Sequence, residues 1–184
     1  MSMKGVFQTA AGKLRDAILK DDVLVAERLA REVKGYKLSE LLDEKLAAAL
    51  TPQMAAVLTG KNGAANEKDI DEGTPFLHVL SRLLEARNIP ALDVIIRKEK
   101  NHFNGRHGTE AMLRVVLSPI EDSDRLRYIA QMLEQGHSNM TFPERAVAFA
   151  NRANLRDVVA FFATKGLIDR SPPFMLQQPE PDRR

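Results

Sequence analysis

The chain contains no cysteine and no tryptophan, and only 5% of its 184 residues are aromatic. The absence of thiols excludes disulfide staples, thiolate metal sites and cysteine nucleophiles together, and suits a reducing compartment. With so few rings, the core falls to Leu, Ala, Val and Ile. Ala and Leu are inexpensive in helices, and the β-branched runs that mark strands are scarce. No apolar run approaches the length of a membrane span, so no membrane-embedded segment is expected. Met1 to Gly12 carries Lys4 but no continuous apolar stretch, so it lacks the pattern of a secretory signal. A cytoplasmic location is the expectation, with secretion by a signal that leaves no compositional trace as the alternative.

Charge of one sign is lacking too. The 27 basic and 25 acidic residues nearly cancel, leaving a formal net charge of +2. The isoelectric point near 8.9 reflects that small excess. It does not describe a phosphate-binding surface, which needs clustered Lys and Arg on one face, and no such stripe is present. Nucleic acid is therefore not an expected partner.

What remains, at 44% hydrophobic and 28% charged, is a globular composition. Its organisation is repetitive. Gly73-Thr74-Pro75-Phe76-Leu77-His78 and Gly108-Thr109-Glu110-Ala111-Met112-Leu113 begin 35 positions apart and each opens an apolar helical pattern. After Gly73 the stripe is Leu77, Leu80, Leu83 and Leu84. It breaks at Asn88 and restarts at Pro90 with Ala91, Leu92, Val94, Ile95 and Ile96. After Gly108 come Ala111, Met112, Val115 and Val116, then a break at Ser118-Pro119. Leu126, Ile129, Ala130, Met132 and Leu133 follow, with Ser123 or Asp124 as N-cap and a stop at Gly136.

The flanks follow the same plan. Leu14 to Leu19 and Val23 to Val33 form a pair broken at Asp21-Asp22. Leu41 to Leu50 and Pro52 to Leu58 form another, joined at Thr51-Pro52. Ala146 to Ala150, entered through Thr141 to Glu144, and Leu155 to Phe162, closed by Gly166, form the last. The reading is an all-α chain of about five helix–turn–helix pairs, each needing its neighbours to bury its apolar face. It divides into an extension over 1–12, one repeat domain over 13–170 and a flexible tail over 171–184, which holds four prolines. Lys13, Arg15, Asp16 and Lys20 at one end, and Arg152, Arg156 and Asp157 at the other, would give the terminal pairs polar outer faces.

Gly63-Ala64-Ala65-Asn66 leading into Gly73-Thr74-Pro75-Phe76-Leu77-His78 resembles the loop and helix entry of an ankyrin repeat. Leu133-Glu134-Gln135-Gly136-His137-Ser138-Asn139 is similar to the same repeat closure. The likeness is clearest over 60–139. It departs from the pattern where Phe76 adds a residue before Leu77-His78 and where Glu110 stands in place of proline. The resemblance implies an ankyrin-like helical-repeat solenoid that binds another protein through a concave face and its loop tips.

Carried onto this chain, that face would comprise Glu67, Lys68, Asp69, Asp71 and Glu72 from one loop. Asn104, Arg106 and His107 would come from the next, and Arg82 and Arg114 from the helices. Mixed charges on projecting loops suit selective docking. The expected role is a non-catalytic adaptor or inhibitor, monomeric on its own. The alternatives are the recognition part of an enzyme complex and a secreted bacterial effector that captures a host protein.

Chemistry of other kinds finds little footing. His78 reads as a turn-ordering side chain, and His102, His107 and His137 as loop residues without metal-ligand spacing. Asp69, Asp71 and Glu72 lack the spacing and central glycine of a calcium loop. Gly60-Lys61-Asn62-Gly63 lacks the ending of a phosphate loop. Phe161-Phe162 reads as core, with Phe161 continuing the stripe from Val158. Neither catalytic residues, a cofactor nor a metal is expected.

Overall fold

Short polar residues decide where the helices start. Thr9 accepts the Gly12 N–H at 3.1 Å and opens α1 (Ala10–Leu19), and Asp22 accepts from Val25 at 3.1 Å and opens α2 (Val23–Ala30). After α3 (Gly35–Leu41), Asp43 accepts from Leu46 at 2.8 Å to open α4 (Glu44–Ala49). Thr51, followed by Pro52 in the first turn, opens α5 (Pro52–Thr59). Each cap satisfies an N–H that the helix itself leaves unpaired. The Leu46 N–H, and then Arg15, hold the Asp43 carboxyl below the usual carboxylate range.

The remaining helices are α6 (Pro75–Glu85), α7 (Ile89–Lys98), α8 (Gly105–Val116), α9 (Asp122–Gln135), α10 (Pro143–Arg152) and α11 (Arg156–Thr164). The computed structural model describes residues 9–33, 35–60, 75–98, 105–135 and 143–166. Among these the protein is all-helical, and no described helix is long and apolar enough to cross a membrane.

The helices lie in two rows. One runs from α1 through α3 and α4 to α6, α8 and α10; the other runs α2, α5, α7, α9, α11. Rungs join α1 to α2, α6 to α7, α8 to α9 and α10 to α11. The core fills the space between the rows, from Leu14 and Leu46 through Phe76, Leu80 and Ile95 to Tyr128 and Phe162, all fully buried.

Three of the rungs share one turn. Asp21, Arg87 and Asn154 have φ of 53°, 52° and 56°, and lie 66 and 67 positions apart. In each, the N–H of the positive-φ residue reaches back three residues and the next N–H reaches back five: Asp21 to Ile18 and Asp22 to Ala17, Arg87 to Leu84 and Asn88 to Leu83, Asn154 to Asn151 and Leu155 to Ala150. This is the Schellman closure of a helix. The residue after the turn then heads the next helix, as Asp22 and Asn88 do with their side chains. Leu155 has no side chain able to do so, and α11 starts without a side-chain cap.

A left-handed conformation is costly for a residue with a β-carbon, and arginine has no local hydrogen bond to offset it. Arg87 is exposed. Arg87→Gly should raise stability by about 0.5–1 kcal/mol after the greater unfolded-state freedom of glycine is counted. A urea midpoint left unchanged or lowered would show that the turn stores no strain.

The turns are laced side to side. Thr51 donates its hydroxyl to the Asp21 carboxylate at 2.7 Å, and Asn88 donates to the carbonyls of Ala47 and Leu50 at 2.8 Å each. Arg15 adds an ion pair to Asp43 at 2.8 Å, so it faces the next pair and not the outer end of the stack.

The structure corrects several sequence expectations. The single helix expected over Leu41 to Leu50 is two, because Asp43 caps a fresh start, and α3 begins earlier at Gly35. Helix α8 begins at Gly105, which puts Gly108 and Thr109 inside it and buries both. The buried set Val79, Leu80, Leu83 and Leu84 therefore matches Ala111, Met112, Val115 and Val116, 32 positions on instead of 35. Gly105, Arg106 and His107 belong to a helix and not to a loop. Helix α9 starts at Asp122, one to two residues before the expected cap. At the far end Phe162, four residues after Val158, takes the core position. Phe161 is partly buried, with Lys165 over its ring at 5.6 Å.

Candidate functional site

The first row of helices forms a groove where α6, α8 and α10 lie side by side. Leu84, Leu113, Leu117, Pro119 and Phe149 supply its apolar lining, and Ser81, Glu85, Glu110, Arg114 and Ser118 its polar lining. Its volume is about 390 Å³. The position of each group follows from helical spacing. Leu113 and Leu117 are one turn apart on α8 and its end, and Glu110 and Arg114 are one turn apart on the neighbouring strip.

Leu117, which lines the groove, is a large apolar side chain left 50% exposed. Leu113, one turn earlier, is only 6% exposed. Phe149 closes the α10 side, with the Arg152 guanidinium over its ring at 5.9 Å.

The charged groups are internally matched. Arg114 donates to the Ser81 hydroxyl across the α6–α8 interface and lies 3.9 Å from Glu110. Arg82, one helix over, donates to Glu85 at 2.9 Å. Both arginines occupy the last turn of their helices, at equivalent places in the first row.

The sequence-expected surface is thus placed in part. Arg114 lines the groove and Arg82 reaches it through Glu85. Arg106 and His107 lie in the first turn of α8, about 12 Å along the helix axis from Arg114. Glu67, Lys68, Asp69, Asp71, Glu72 and Asn104 lie outside the described residues, as do His102, His137 and the 171–184 tail.

Two polar features near and behind this groove escape the sequence reading. Arg125 is 6% exposed and donates to the carbonyls of Ser118 and Ile120 at 2.9 Å each, and also to Asp122. It fixes the turn that carries Ser118 and Pro119, where the positive-φ closure of the other rungs is missing. The available signal is Ser118-Pro119 itself: proline has no N–H to close a turn, so another donor is required.

Tyr128 and Asp93 form the second overlooked feature. The Tyr128 hydroxyl donates to Asp93 at 2.8 Å, and Arg127 bridges Asp93 at 2.7 Å and Asp124 at 2.6 Å. Burial first, then the bond to Asp93, pushes the Tyr128 hydroxyl above the ordinary phenol range, so it remains a donor. The hydrogen bond to Asp124 leads the causes that raise Arg127. Arg127 also lies over the Tyr128 ring at 4.7 Å. This cluster ties α7 to α9 within the second row.

A second groove, of about 500 Å³, opens between α1 and α2 at the end of the stack. Lys13, Asp16, Lys20, Asp22, Arg28 and Glu32 ring a narrow floor of Ala17, Val25 and Leu29. Its alternating charges are those of a solvated end face. Among the described residues no group of three His, Asp or Glu side chains is arranged to hold a metal ion.

Comparison of the chain with family models, curated proteins and solved structures finds no match.

Proposed function

We propose that this chain is a non-catalytic protein-binding module, an ankyrin-like helical-repeat solenoid that holds a partner against its first row of helices. The observation that carries the reading is the α6–α8–α10 groove, with Leu117 half exposed among its apolar lining residues. A docked partner would bury that side chain together with the apolar lining beside it. Support for the repeat comes from the two-row stack and from turns recurring near twice the roughly 33-residue ankyrin period. The proposal keeps the sequence-expected residues Glu67, Lys68, Asp69, Asp71, Glu72 and Asn104, which lie outside the described residues, and the role of adaptor or inhibitor.

The test is co-purification from the cells that make the protein, comparing the tagged chain with Leu117→Asp and Arg114→Glu. A partner in stoichiometric yield on the parent chain should fall at least ~10-fold on either variant, equivalent to about 1.4 kcal/mol of binding free energy. Thermal midpoints of the variants should stay close to the parent, since both side chains are partly exposed. Equal capture by all three chains would sink the assignment of this groove, and substrate turnover by the purified chain would sink the non-catalytic reading.

A further inference from the structure

We infer that the last helix pair, α10–α11, opens from the stack as one unit while the other pairs stay closed, and takes the Phe149 wall of the groove with it. The inference goes beyond the protein-binding reading and concerns the chain alone.

The turns of the stack alternate. The positive-φ closure at Asp21, Arg87 and Asn154 belongs to the first, third and fifth pairs. Thr51-Pro52 and Ser118-Pro119, 67 positions apart, belong to the second and fourth. The stack therefore repeats every two pairs, and each turn has a counterpart 66 or 67 positions away.

Among the described residues, polar side chains stitch three of the four seams between pairs. Thr51 to Asp21 and Arg15 to Asp43 join the first pair to the second. Asn88, on the third pair, holds the Ala47 and Leu50 carbonyls of the second. Arg114 to Ser81, and Tyr128 and Arg127 to Asp93, join the third to the fourth. At the last seam the counterpart of Asn88, 67 positions on, is Leu155, which has no polar side-chain atom to donate. The polar side chains beside it bond within their own pair: Arg156 donates to Asn154 at 3.4 Å, and Thr164 to the Phe161 carbonyl at 2.8 Å. Turn exposure follows the stitching. Leu50, whose carbonyl Asn88 holds, is 2% exposed, and its counterpart Leu117 is 50% exposed.

A terminal position alone does not account for the open seam, because the first pair is terminal too. That pair has two polar links and the Asp22 cap on α2, where α11 begins without a side-chain cap. It sets Leu14, Ile18 and Leu29 in the core, whereas α10 fully buries only two alanines, Ala146 and Ala150, among the described residues. Less apolar burial and no polar stitch leave this pair with the smallest free energy resisting local opening. Opening separates Phe149 from Leu84, Leu113 and Leu117, so the groove is complete only while the pair is docked.

Amide hydrogen exchange of the full chain, followed by mass spectrometry, tests this. The amides of α10 and α11 should exchange together, at least ~10-fold faster than those of α1 and α2 once intrinsic rates are removed. The lack of cysteine allows a second readout. Ala150→Cys, Ala26→Cys and Ala91→Cys each place a single thiol at a fully buried alanine of the last, first and third pair. With a disulfide reagent in excess, Ala150→Cys should react at least ~10-fold faster than either of the others. Leu155→Asn supplies a cap for α11 and an amide toward the Leu117 turn. It should slow exchange in α10–α11 at least ~5-fold and leave α1–α5 unchanged. Leu155→Asp supplies the cap alone and should slow it less.

Equal exchange at the two ends of the stack, or unrelated rates in α10 and α11, is ordinary fraying and overturns the inference. So does a Leu155→Asn chain that exchanges as fast as the parent, or a thiol in Ala150→Cys as protected as that in Ala91→Cys. The protein-binding reading is judged separately, by the co-purification comparison.

Discussion

Replacing Arg125 with alanine should lower the thermal midpoint by roughly 6–12 °C, the equivalent of about 3 kcal/mol for a chain of this size. The size of the effect follows from what the guanidinium satisfies. Its side chain is 7% exposed, and it donates to the Ser118 and Ile120 carbonyls at 2.9 Å each while pairing with Asp122. Pro119 between them has no N–H, so the turn has few internal donors to offer instead.

Truncation would leave two carbonyls without their donor and a hole where the arginine stem packs. Arg125→Met separates these contributions, because it fills most of the space and supplies no N–H. Differential scanning calorimetry should place the methionine variant between parent and alanine. A methionine variant as stable as the parent would show that the carbonyls find water and that the clamp is dispensable.

Asn88→Ala is expected to cost about 2–3 kcal/mol, since one side chain serves two helix ends. Its Oδ1 accepts the Ala91 N–H at 3.2 Å and so caps α7. Its Nδ2 donates to the carbonyls of Ala47 and Leu50 at 2.8 Å each, at the end of α4. Asn88→Ser keeps a cap and loses the reach to α4, so chemical denaturation should show an intermediate loss. Asn88→Asp keeps the acceptor but presents negative charge to carbonyl oxygens, and should be no better than alanine near neutral pH. An aspartate variant equal to the parent would mean that the bonds to α4 contribute nothing.

These two residues also mark how far the sequence could be read. The helices were legible because burial in each repeats with helical period: Leu80, Leu83 and Leu84, then Ala91, Leu92, Ile95 and Ile96, all lie in the core. The breaks at Asp21-Asp22, Thr51-Pro52, Asn88 and Ser118-Pro119 fall between helices, where capping and proline chemistry put them. Registers were less legible. Gly108-Thr109 resembles a helix entry, yet both residues are buried within α8, because a glycine and a small hydroxyl also fit a tight helix interior. Leu41 to Leu50 gives no warning of a break, except that Asp43 is a strong N-cap.

Of the groove, the sequence reading named only the helical arginines. Arg114 and Arg82 could be placed on the first helices from their spacing, but the groove also needs Phe149 of α10 and the turn at Ser118. Those meet across breaks in the chain that no periodicity spans. Arg125 and Tyr128 carry polar atoms into the core, where pattern reasoning puts only apolar groups.

The clamp at Ser118 and Ile120 has a consequence for recognition kinetics. A buried side chain holds the turn that lines one wall of the groove, so under the proposed binding role the entropy of ordering that wall would belong to folding and not to association. Such a preorganised edge favours lock-and-key capture over slow mutual rearrangement.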